Sequence, residues 1–491
     1  MFSKILVANR GEIAVRIIRA CQEMGIATVA IYSEVDDGAP HVQMADEAHP
    51  LGDPAPSESY LNIEKILGIA EKSGAEAIHP GYGFLSENAE FARRCEESGI
   101  VFIGPPAEVI AKMGDKVAAK KTMESAQVPT VPGFYGSAPE EIAEWCEGIG
   151  YPVLVKAAGG GGGKGMRIVH SPSQLPDALI SAQREAKSAF GDERVFVEKF
   201  LRDTRHIEFQ VLADKDGKTI HLFERECSIQ RRHQKVIEET PSVALTPEMR
   251  SAMGEAAVRA ARAAGYVNAG TVEFMFSEGR FYFLEMNTRL QVEHAITEAT
   301  TGTDIVKWQI RIAADEPLTL EQRDIVQRGH AIECRIYAED PEHGFMPSTG
   351  KVHRLDPPSG VNVRLDSGVD SGQVITPYYD PLLAKLIVYA ESRDDALQKM
   401  DWALSNYVAL GITTNIPFLR AVVRHPAFRR GETTTRFIEE HMGGWRGAVE
   451  PPSEALIAAA IFNLISTQEG TEAKTEEHTP WKVLTGWRMG E

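Results

Sequence analysis

Cysteine is scarce in this sequence. The 491 residues hold five, Cys21, Cys95, Cys146, Cys227 and Cys334, far apart and with no CxxC pair. That excludes a disulfide framework and a thiolate zinc site. It points to a reducing compartment, the cytoplasm, or the mitochondrial matrix for an organellar form. Long apolar runs are missing as well: there is no signal-peptide core and no apolar span of about 18 residues, so no membrane partner is expected. Basic residues are in deficit. With 52 Lys+Arg against 70 Asp+Glu the net charge is −18, which argues against a nucleic-acid surface. Any anion-binding cleft must then come from a local concentration of basic side chains. Glycine is also missing where a dinucleotide site would need it. Lys4–Ala8, an amphipathic helix near Ile13–Met24 and Ala27–Tyr32 form a βαβ pattern, yet only Gly11 stands where that fingerprint wants three glycines.

What is present is an ordinary globular composition, 43% hydrophobic and 25% charged, in a chain long enough for roughly three domains. The first is doubly wound α/β and continues through Ala77–His79 and Val101–Ile103. The turn HPGYGFLSEN (His79–Asn88) is richer in Gly, Pro and aromatics than a plain crossover needs, although a tight βα loop packing Tyr82 into its own domain reads equally well. A helix over Ala107–Ala126 carries Lys116. After a helix near Pro139–Gly148 and a strand ending at Lys156 comes Gly159–Gly163, Lys164, Gly165. This is no Walker A loop, because Ala158 takes the first glycine position and Gly165 the Ser/Thr position, and strand-like Met166–Val169 follows. Strand, glycine loop, strand is the pattern of a flap that covers phosphates with backbone N–H groups. So many glycines lose much entropy on ordering, so a lid that closes over nucleotide is expected.

The richest stretch is TVEFMFSEGRFYFLEMNTRLQVEH (Thr271–His294), which reads as a hairpin around Ser277–Arg280. A two-residue loop puts Glu273 and Glu285 on opposite faces. A three-residue loop, with Gly279 left-handed, puts them on one face as diagonal neighbours, and that register is expected here. Asn287, Arg289, Gln291 and Glu293 would continue that face in strand period. Two carboxylates with an amide oxygen make a hard-cation set, suited to magnesium shared with substrate phosphates. A second concentration lies in ERECSIQRRHQKVIEETP (Glu224–Pro241), where Arg225, Arg231, Arg232, His233 and Lys235 crowd into an otherwise acidic chain. Such a cluster suits phosphate and bicarbonate anions, arginine offering a fork and lysine a point charge.

These strings resemble a known family. The paired-carboxylate strands resemble the metal-binding strands of the ATP-grasp superfamily. EMNTRLQVEH, QRRHQK, HPGYGFLSEN and YYDPLLAKLIV together resemble biotin carboxylase, over about residues 1–445. The resemblance implies an ATP-grasp fold: an N-terminal α/β domain (1–115), a glycine-flap lid (116–203), a core with the metal site (204–330) and a C-terminal domain with antiparallel sheet (331–446). Residues 447–491 would be a linker and the start of a further segment. The implied reaction is carboxylation of biotin with ATP and bicarbonate, through carboxyphosphate. The biotin would sit on a carrier domain or protein serving a carboxyltransferase subunit, and the carboxylase part would be a homodimer.

Residue by residue, the resemblance puts Glu273, Glu285 and Asn287 on Mg2+ (or Mn2+). ATP falls to Lys116, Lys156, Gly162, Gly163, Gly165, Glu198, Lys199, Leu201, His206, Gln230, His233 and Glu273. Lys235, Arg289, Gln291 and the Val292 backbone would fix bicarbonate. Glu293 would be its general base, kept ionised by Arg289, and Tyr82 and Arg335 would meet biotin. Two other readings remain: an ATP-grasp ligase with another acceptor, and a nucleotide sensor without turnover. No Met-Lys-Met biotinylation motif occurs in the sequence. The end, TPWKVLTGWRMGE, resembles the region that follows the carboxylase part in acyl-CoA carboxylase α-subunits. The chain is therefore expected to be the front of such an α-subunit, the other possibility being a complete subunit served by a separate carrier protein; the alternative to the acyl-CoA partner is a pyruvate carboxylase subunit.

Overall fold

A computed structural model describes residues 1–136, 138–158, 166–447 and 453–472. It divides into two compact units, Met1–Trp445 and Arg446–Glu491. In the first unit, strands β1 (Lys4–Val7), β2 (Ala27–Ser33), β3 (Glu47–Gly52), β4 (Ala77–His79) and β5 (Val101–Phe102) make a parallel sheet in the order β3-β2-β1-β4-β5. The order reverses direction between β1 and β4, so the loops leaving these strands open a crevice at the sheet's C-terminal edge. Asn9 ties that crevice together: its Nδ2 donates to the carbonyls of Pro80 and Tyr82, both at 2.7 Å. Gly11 follows at φ 66°, a turn into the helix Gly11–Glu23 that a side chain would strain.

A small antiparallel sheet comes next: β6 (Gly133–Phe134), β7 (Val153–Ala157), β8 (Arg167–Val169) and β9 (Val195–Lys199), in the order β6-β9-β7-β8. Its own core is Ile142, Cys146, Val153, Val155, Val169, Leu175, Leu179, Ala182 and Val197, from the strands and their two flanking helices. The Gly159–Gly165 flap, with Gly162, Gly163 and Gly165, lies outside the described residues.

The largest element is an eight-stranded antiparallel sheet. It runs β14-β13-β10-β11-β12-β15 and continues into Leu382–Ala390 and Val363–Ser367. The labels stand for β10 (Arg205–Ala213), β11 (Thr219–Arg231), β12 (Gln234–Thr240), β13 (Asn268–Ser277), β14 (Arg280–Asn287) and β15 (His330–Tyr337). One face of β10, β13 and β14 is apolar: Phe209, Phe274 and Phe283 are buried there with Val272, Met286 and the alanines of helix Pro247–Ala264. Each such ring is worth roughly 1.5–3 kcal/mol of burial. That anchors the sheet and leaves the opposite face free to carry charge.

Four sequence expectations need correction. The hairpin turn has two residues, with Ser277 paired to Arg280 and both Glu278 (φ 49°) and Gly279 (φ 72°) left-handed, the turn whose twist matches its strands. Pairing then steps from Phe274↔Phe283 to Glu273↔Glu285, which leaves Leu284 as an extra residue. This β-bulge, not a three-residue loop, brings the two carboxylates to one face, directly opposite each other. The strand also stops at Asn287. Residues 288–293 form a loop and turn, and Glu293 occupies the N-cap position of helix His294–Thr301 without a side-chain cap bond. The helix expected over Ala107–Ala126 is two, Ala107–Gly114 and Lys116–Ser125. Asp115 breaks it and accepts from the N–H groups of Val117 and Ala118, which caps the second helix. Finally, the linker expected after residue 447 includes a helix, Ser453–Glu472, which its run of alanines favours. The TPWKVLTGWRMGE ending lies outside the described residues.

Candidate active site

The charged face of β10–β15 forms the floor of a cleft with two connected ends. At one end, a cavity of about 710 Å3 is lined by Leu154, Lys156, Met166, Ile168, Glu198, Lys199, Leu201, His206, Gln230, His233 and Ile438. At the other, a cavity of about 760 Å3 runs from Lys116, Glu273, Glu285 and Asn287 past Lys235, Arg289, Gln291 and Glu293. It then continues along Arg335, Tyr82, Tyr378 and Tyr379. All the described residues expected at the site line one or both. The structure brings them together from all three sheets.

The second end is dense with paired charge. Lys235 Nζ lies 2.5 Å from Glu208, 2.9 Å from Glu273 and 2.7 Å from Glu293. Glu293 is also gripped by Arg335 Nη2 at 3.0 Å. Burial alone would raise the Glu293 carboxyl; Lys235 above all, with Arg335 and Arg225, brings it below the usual range, so it is held as a base. The sequence expectation that Arg289 does this is corrected. Arg289 instead donates from Nε to Glu87 at 2.9 Å and from Nη2 to Asn287 Oδ1 at 3.3 Å. The reason is the turn at Val292–Glu293, which removes Glu293 from strand period with Arg289.

Two other basic residues of the 224–241 cluster are not anion ligands. The Arg225 side chain is fully buried and spends its donors on Glu208, Gln210, Thr271, Thr297 and Gln291. Arg231 pairs with Glu339 and stacks 4.5 Å over Phe345. Gln291 is fixed between two partners: its Oε1 accepts from Arg225 at 2.7 Å and its Nε2 donates to Glu273 at 2.7 Å. The Val292 carbonyl accepts from the buried Lys385 at 2.8 Å. The Tyr82 hydroxyl donates to Glu12, which faces the same cavity.

The nucleotide-sided residues are arranged around Glu198. It is buried, with Lys120 and Lys156 as ion-pair partners, the latter at 2.5 Å. These two cations overcome a burial that would otherwise raise its carboxyl. Lys199 turns its Nζ away to cap the helix Pro139–Ile149, 2.8 Å from the Gly150 carbonyl. His206 stands 3.0 Å from Glu273, and despite burial that carboxylate lifts the imidazole to about 9. Lys116 faces Glu285, with burial lowering its ammonium.

A cation fits between Glu273 and Glu285. Glu273 is lowered well below its ordinary value by Lys235 and His206 against the pull of burial. Glu285 directly opposite is raised, by burial and then by Glu273. Glu285 makes no hydrogen bond or close ion pair among the described residues; Lys116 and His206 act on it only from a distance. The tighter cluster of ligand atoms, His206, Glu208 and Glu273, is less suited, because Lys235 already neutralises two of its members.

Sequence reasoning missed Lys120, Glu238, Lys385 and Glu87. For Lys120 a signal existed: GDKVAAKK places it one helical turn beyond Lys116, on the same face. Glu87 sits in the HPGYGFLSEN string itself. Glu238 and Lys385 likewise sit in quoted strings, ERECSIQRRHQKVIEETP and YYDPLLAKLIV.

The fold and this site define an ATP-grasp enzyme. Comparison with known proteins narrows the class. The family descriptions "Biotin carboxylase, N-terminal domain", "Carbamoyl-phosphate synthase L chain, ATP binding domain" and "Biotin carboxylase C-terminal domain" match residues 1–110, 115–321 and 333–440. A pyruvate carboxylase subunit from Methanothermobacter thermautotrophicus is 56% identical over 446 residues, 90% of this chain and 91% of that one. The mitochondrial alpha subunit of methylcrotonoyl-CoA carboxylase from Dictyostelium discoideum is 49% identical over 493 residues, 99% of this chain and 70% of that one. The biotin carboxylase domain dimer of Hydrogenobacter thermophilus 2-oxoglutarate carboxylase, solved with MgADP, ADP and bicarbonate, superposes with a TM-score of 0.88 at 52% identity, covering 91% of this chain and 99% of that one. The chain belongs to the biotin carboxylase family of ATP-grasp ligases. Among the described residues, no helix is long and apolar enough to cross a membrane.

Proposed function

We propose that this chain carboxylates biotin held on a carrier domain, with ATP, Mg2+ and bicarbonate, as the carboxylase part of an acyl-CoA carboxylase α-subunit. The observation that carries the chemistry is Glu293, ionised and held in a fork between Lys235 at 2.7 Å and Arg335 at 3.0 Å at the bottom of the cleft. Bicarbonate is a poor nucleophile until it loses its proton, and a carboxylate fixed between cations can take that proton without having to reorganise. The freed bicarbonate oxygen attacks the γ-phosphorus of ATP, the bond to the bridging oxygen breaks, and ADP leaves. Lys235, Arg289 and the Val292 N–H would hold the anion, and Gln291 would hold Glu273 in place.

Lys116, Lys156 and His233 would meet the phosphates, with Glu198, Lys199, Leu201 and Gln230 on the adenosine side. Glu273, Glu285 and Asn287 would hold magnesium, which supplies charge neutralisation for phosphates. Arg335 would steady the negative charge that develops on the biotin ureido oxygen, with Tyr82 beside the ring. The boundaries 1–115, 116–203, 204–330, 331–446 and 447–491 are our division of the chain.

Support for the acyl-CoA assignment comes from the tail. The match to the methylcrotonoyl-CoA carboxylase relative extends over 99% of this chain, whereas that to the pyruvate carboxylase relative stops at 90%. A role in a pyruvate carboxylase is the second reading, favoured by the higher identity of that relative. The expected partners are a carrier protein, a second copy of this chain and a carboxyltransferase subunit. The test is ADP release with magnesium and bicarbonate, with and without free biotin, for the wild type and Glu293→Gln. Release that biotin stimulates and the substitution abolishes supports the reading, whereas release indifferent to biotin overturns it. Purification from the native source with bound subunits, assayed for carboxylation of acyl-CoAs against pyruvate, separates the two acceptors.

A further inference from the structure

Behind Arg335 lies a group that the reaction above does not use. Glu238 on β12 and Glu333 on β15 are direct cross-strand partners, and both are fully buried. Arg335 is two residues from Glu333 on the same face, and its Nε donates to Glu238 Oε1 at 2.6 Å while its Nη2 reaches Glu293. Three carboxyl oxygens in this pair have no hydrogen-bond partner among the described residues: Oε2 of Glu238 and both oxygens of Glu333. Two ionised carboxylates side by side in a dry interior, with three bare oxygens, would be far too costly. One proton resolves it, since a neutral Glu333 can donate to the bare Oε2 of Glu238.

We propose that Glu238 and Glu333 share a single proton, and that this buried carboxyl pair is the positioning element that aims Arg335 into the cleft. This rests on the role given to Arg335 above. The charged neighbours allow it. Arg335 and Lys235 favour an ionised Glu238, while Glu293 opposes it. Around Glu333 stand Lys385, Arg335, Glu238 and Glu293. Burial dominates both groups, pushing Glu238 up to about 7 and raising Glu333 well above the ordinary carboxyl range. Lys385, the cation that acts most strongly on Glu333, is already committed to Glu12, Asp366 and the Val292 carbonyl. Buried His294 on the overlying helix is held neutral, so it supplies no further cation. With its proton on Glu333, the pair presents one negative charge to Arg335, which holds Nε and Nη2 together, Nη2 at 2.6 Å, and so fixes where Nη2 meets Glu293.

The test uses the full chain and two independent readouts. Infrared difference spectroscopy of the wild type at neutral pH, with Glu333→Gln as the reference, should show a protonated carboxyl stretch that the variant lacks. Steady-state kinetics with free biotin should then separate the roles. Glu238→Met, which removes the acceptor, leaves Arg335 unpinned and should lower kcat/KM for biotin about 100-fold, the effect of roughly an ångström of misplacement. Bicarbonate-dependent ATP hydrolysis without biotin should change less, because Lys235, the stronger of the two cations on Glu293, stays in place. Glu333→Leu, which strips Glu238 of its donor, should fall in the same way, and Glu333→Gln, a neutral donor of the same shape, should restore most of the loss. Absence of the protonated band, or a Gln variant as impaired as the Leu variant, overturns the proposal. A wild type that biotin does not stimulate would sink the functional reading instead, and the infrared band would still test the pair.

Discussion

Two parts of the second cavity, one at Lys235 and one at Glu285, are built on opposite principles. At the Lys235 end the charges are already matched: one ammonium serves three carboxylates, Arg225 braces Glu208 and Gln291, and Arg335 closes on Glu293. At the Glu285 end a raised carboxyl faces a lowered ammonium, Lys116, with no hydrogen bond to the acid among the described residues. The first end is organised before substrate arrives; the second is completed by what binds there. A general base needs the former, because its protonation state must be set in advance. A metal–phosphate site can leave charge unbalanced, because the ligand brings the balance with it.

Breaking the matched end should have the largest effect. Lys235→Met removes the cation common to Glu208, Glu273 and Glu293 and leaves buried charge uncompensated, so stability should fall by about 3–5 kcal/mol. Turnover should also be lost. Urea unfolding beside single-turnover ADP formation measures both. A variant as stable as the wild type would mean that the three carboxylates rearrange easily, and the matched end would then be no more fixed than the other.

The next effect is on stability and depends on pH. His206 titrates at about 9 in the folded chain, above its ordinary 6.5, because Glu273 outweighs burial. A group raised on folding contributes stability that is fully present below about 6.5 and is lost as pH rises through 9. The contribution is at most about 3 kcal/mol. Thermal melts between these limits should decline with pH, and His206→Gln should flatten that slope. A slope unchanged by the substitution would place the pH dependence elsewhere.

How much of this contrast could be read from the sequence turns on strand register. Residue types were legible: Glu273, Glu285, Asn287, Lys235 and Arg335 all face the cleft, and the doubly wound first sheet follows from the βαβ pattern. Who pairs with whom was not. Leu284 is an extra residue in β14, and the step from Ile229↔Ile237 to Gln230↔Lys235 leaves Val236 extra in β12. Each bulge flips the parity of everything beyond it. Glu238 therefore shares a face with Lys235 although three positions separate them, which period-two reading forbids. Arg225 was misjudged for a related reason. Its five side-chain partners come from β10, β13 and the 288–301 segment, contacts that local charge density cannot reveal.

The waiting end can be sharpened with magnesium. Glu285 must be ionised to ligate it, so binding should strengthen as pH rises through the raised carboxyl and should release protons. Calorimetric titrations in buffers of different ionisation enthalpy read that release directly. Glu285→Gln should weaken magnesium binding about 10–100-fold and abolish the proton release. Proton release that survives the substitution would move the metal onto the His206–Glu208–Glu273 cluster.

The smallest effect should come from Lys120, where the two principles meet. Its Nζ donates to Glu198 and, at 2.9 Å, to the Val131 carbonyl, between the rings of Tyr135 and Phe196. It shares Glu198 with Lys156, the lysine facing the nucleotide cavity. With Lys120 present, Glu198 is over-neutralised and Lys156 has charge to spare for a phosphate. Lys120→Met keeps the stem and the packing but leaves Lys156 as the only ion-pair partner of Glu198 among the described residues. Lys156 should then be drawn inward. KM for ATP should rise up to about tenfold, roughly 1.4 kcal/mol, with kcat nearly unchanged, since the interaction lost is made equally in ground and transition states. Initial rates at saturating bicarbonate measure it. A fall in kcat at constant KM would mean that Lys120 acts on the reacting phosphate and not through its neighbour.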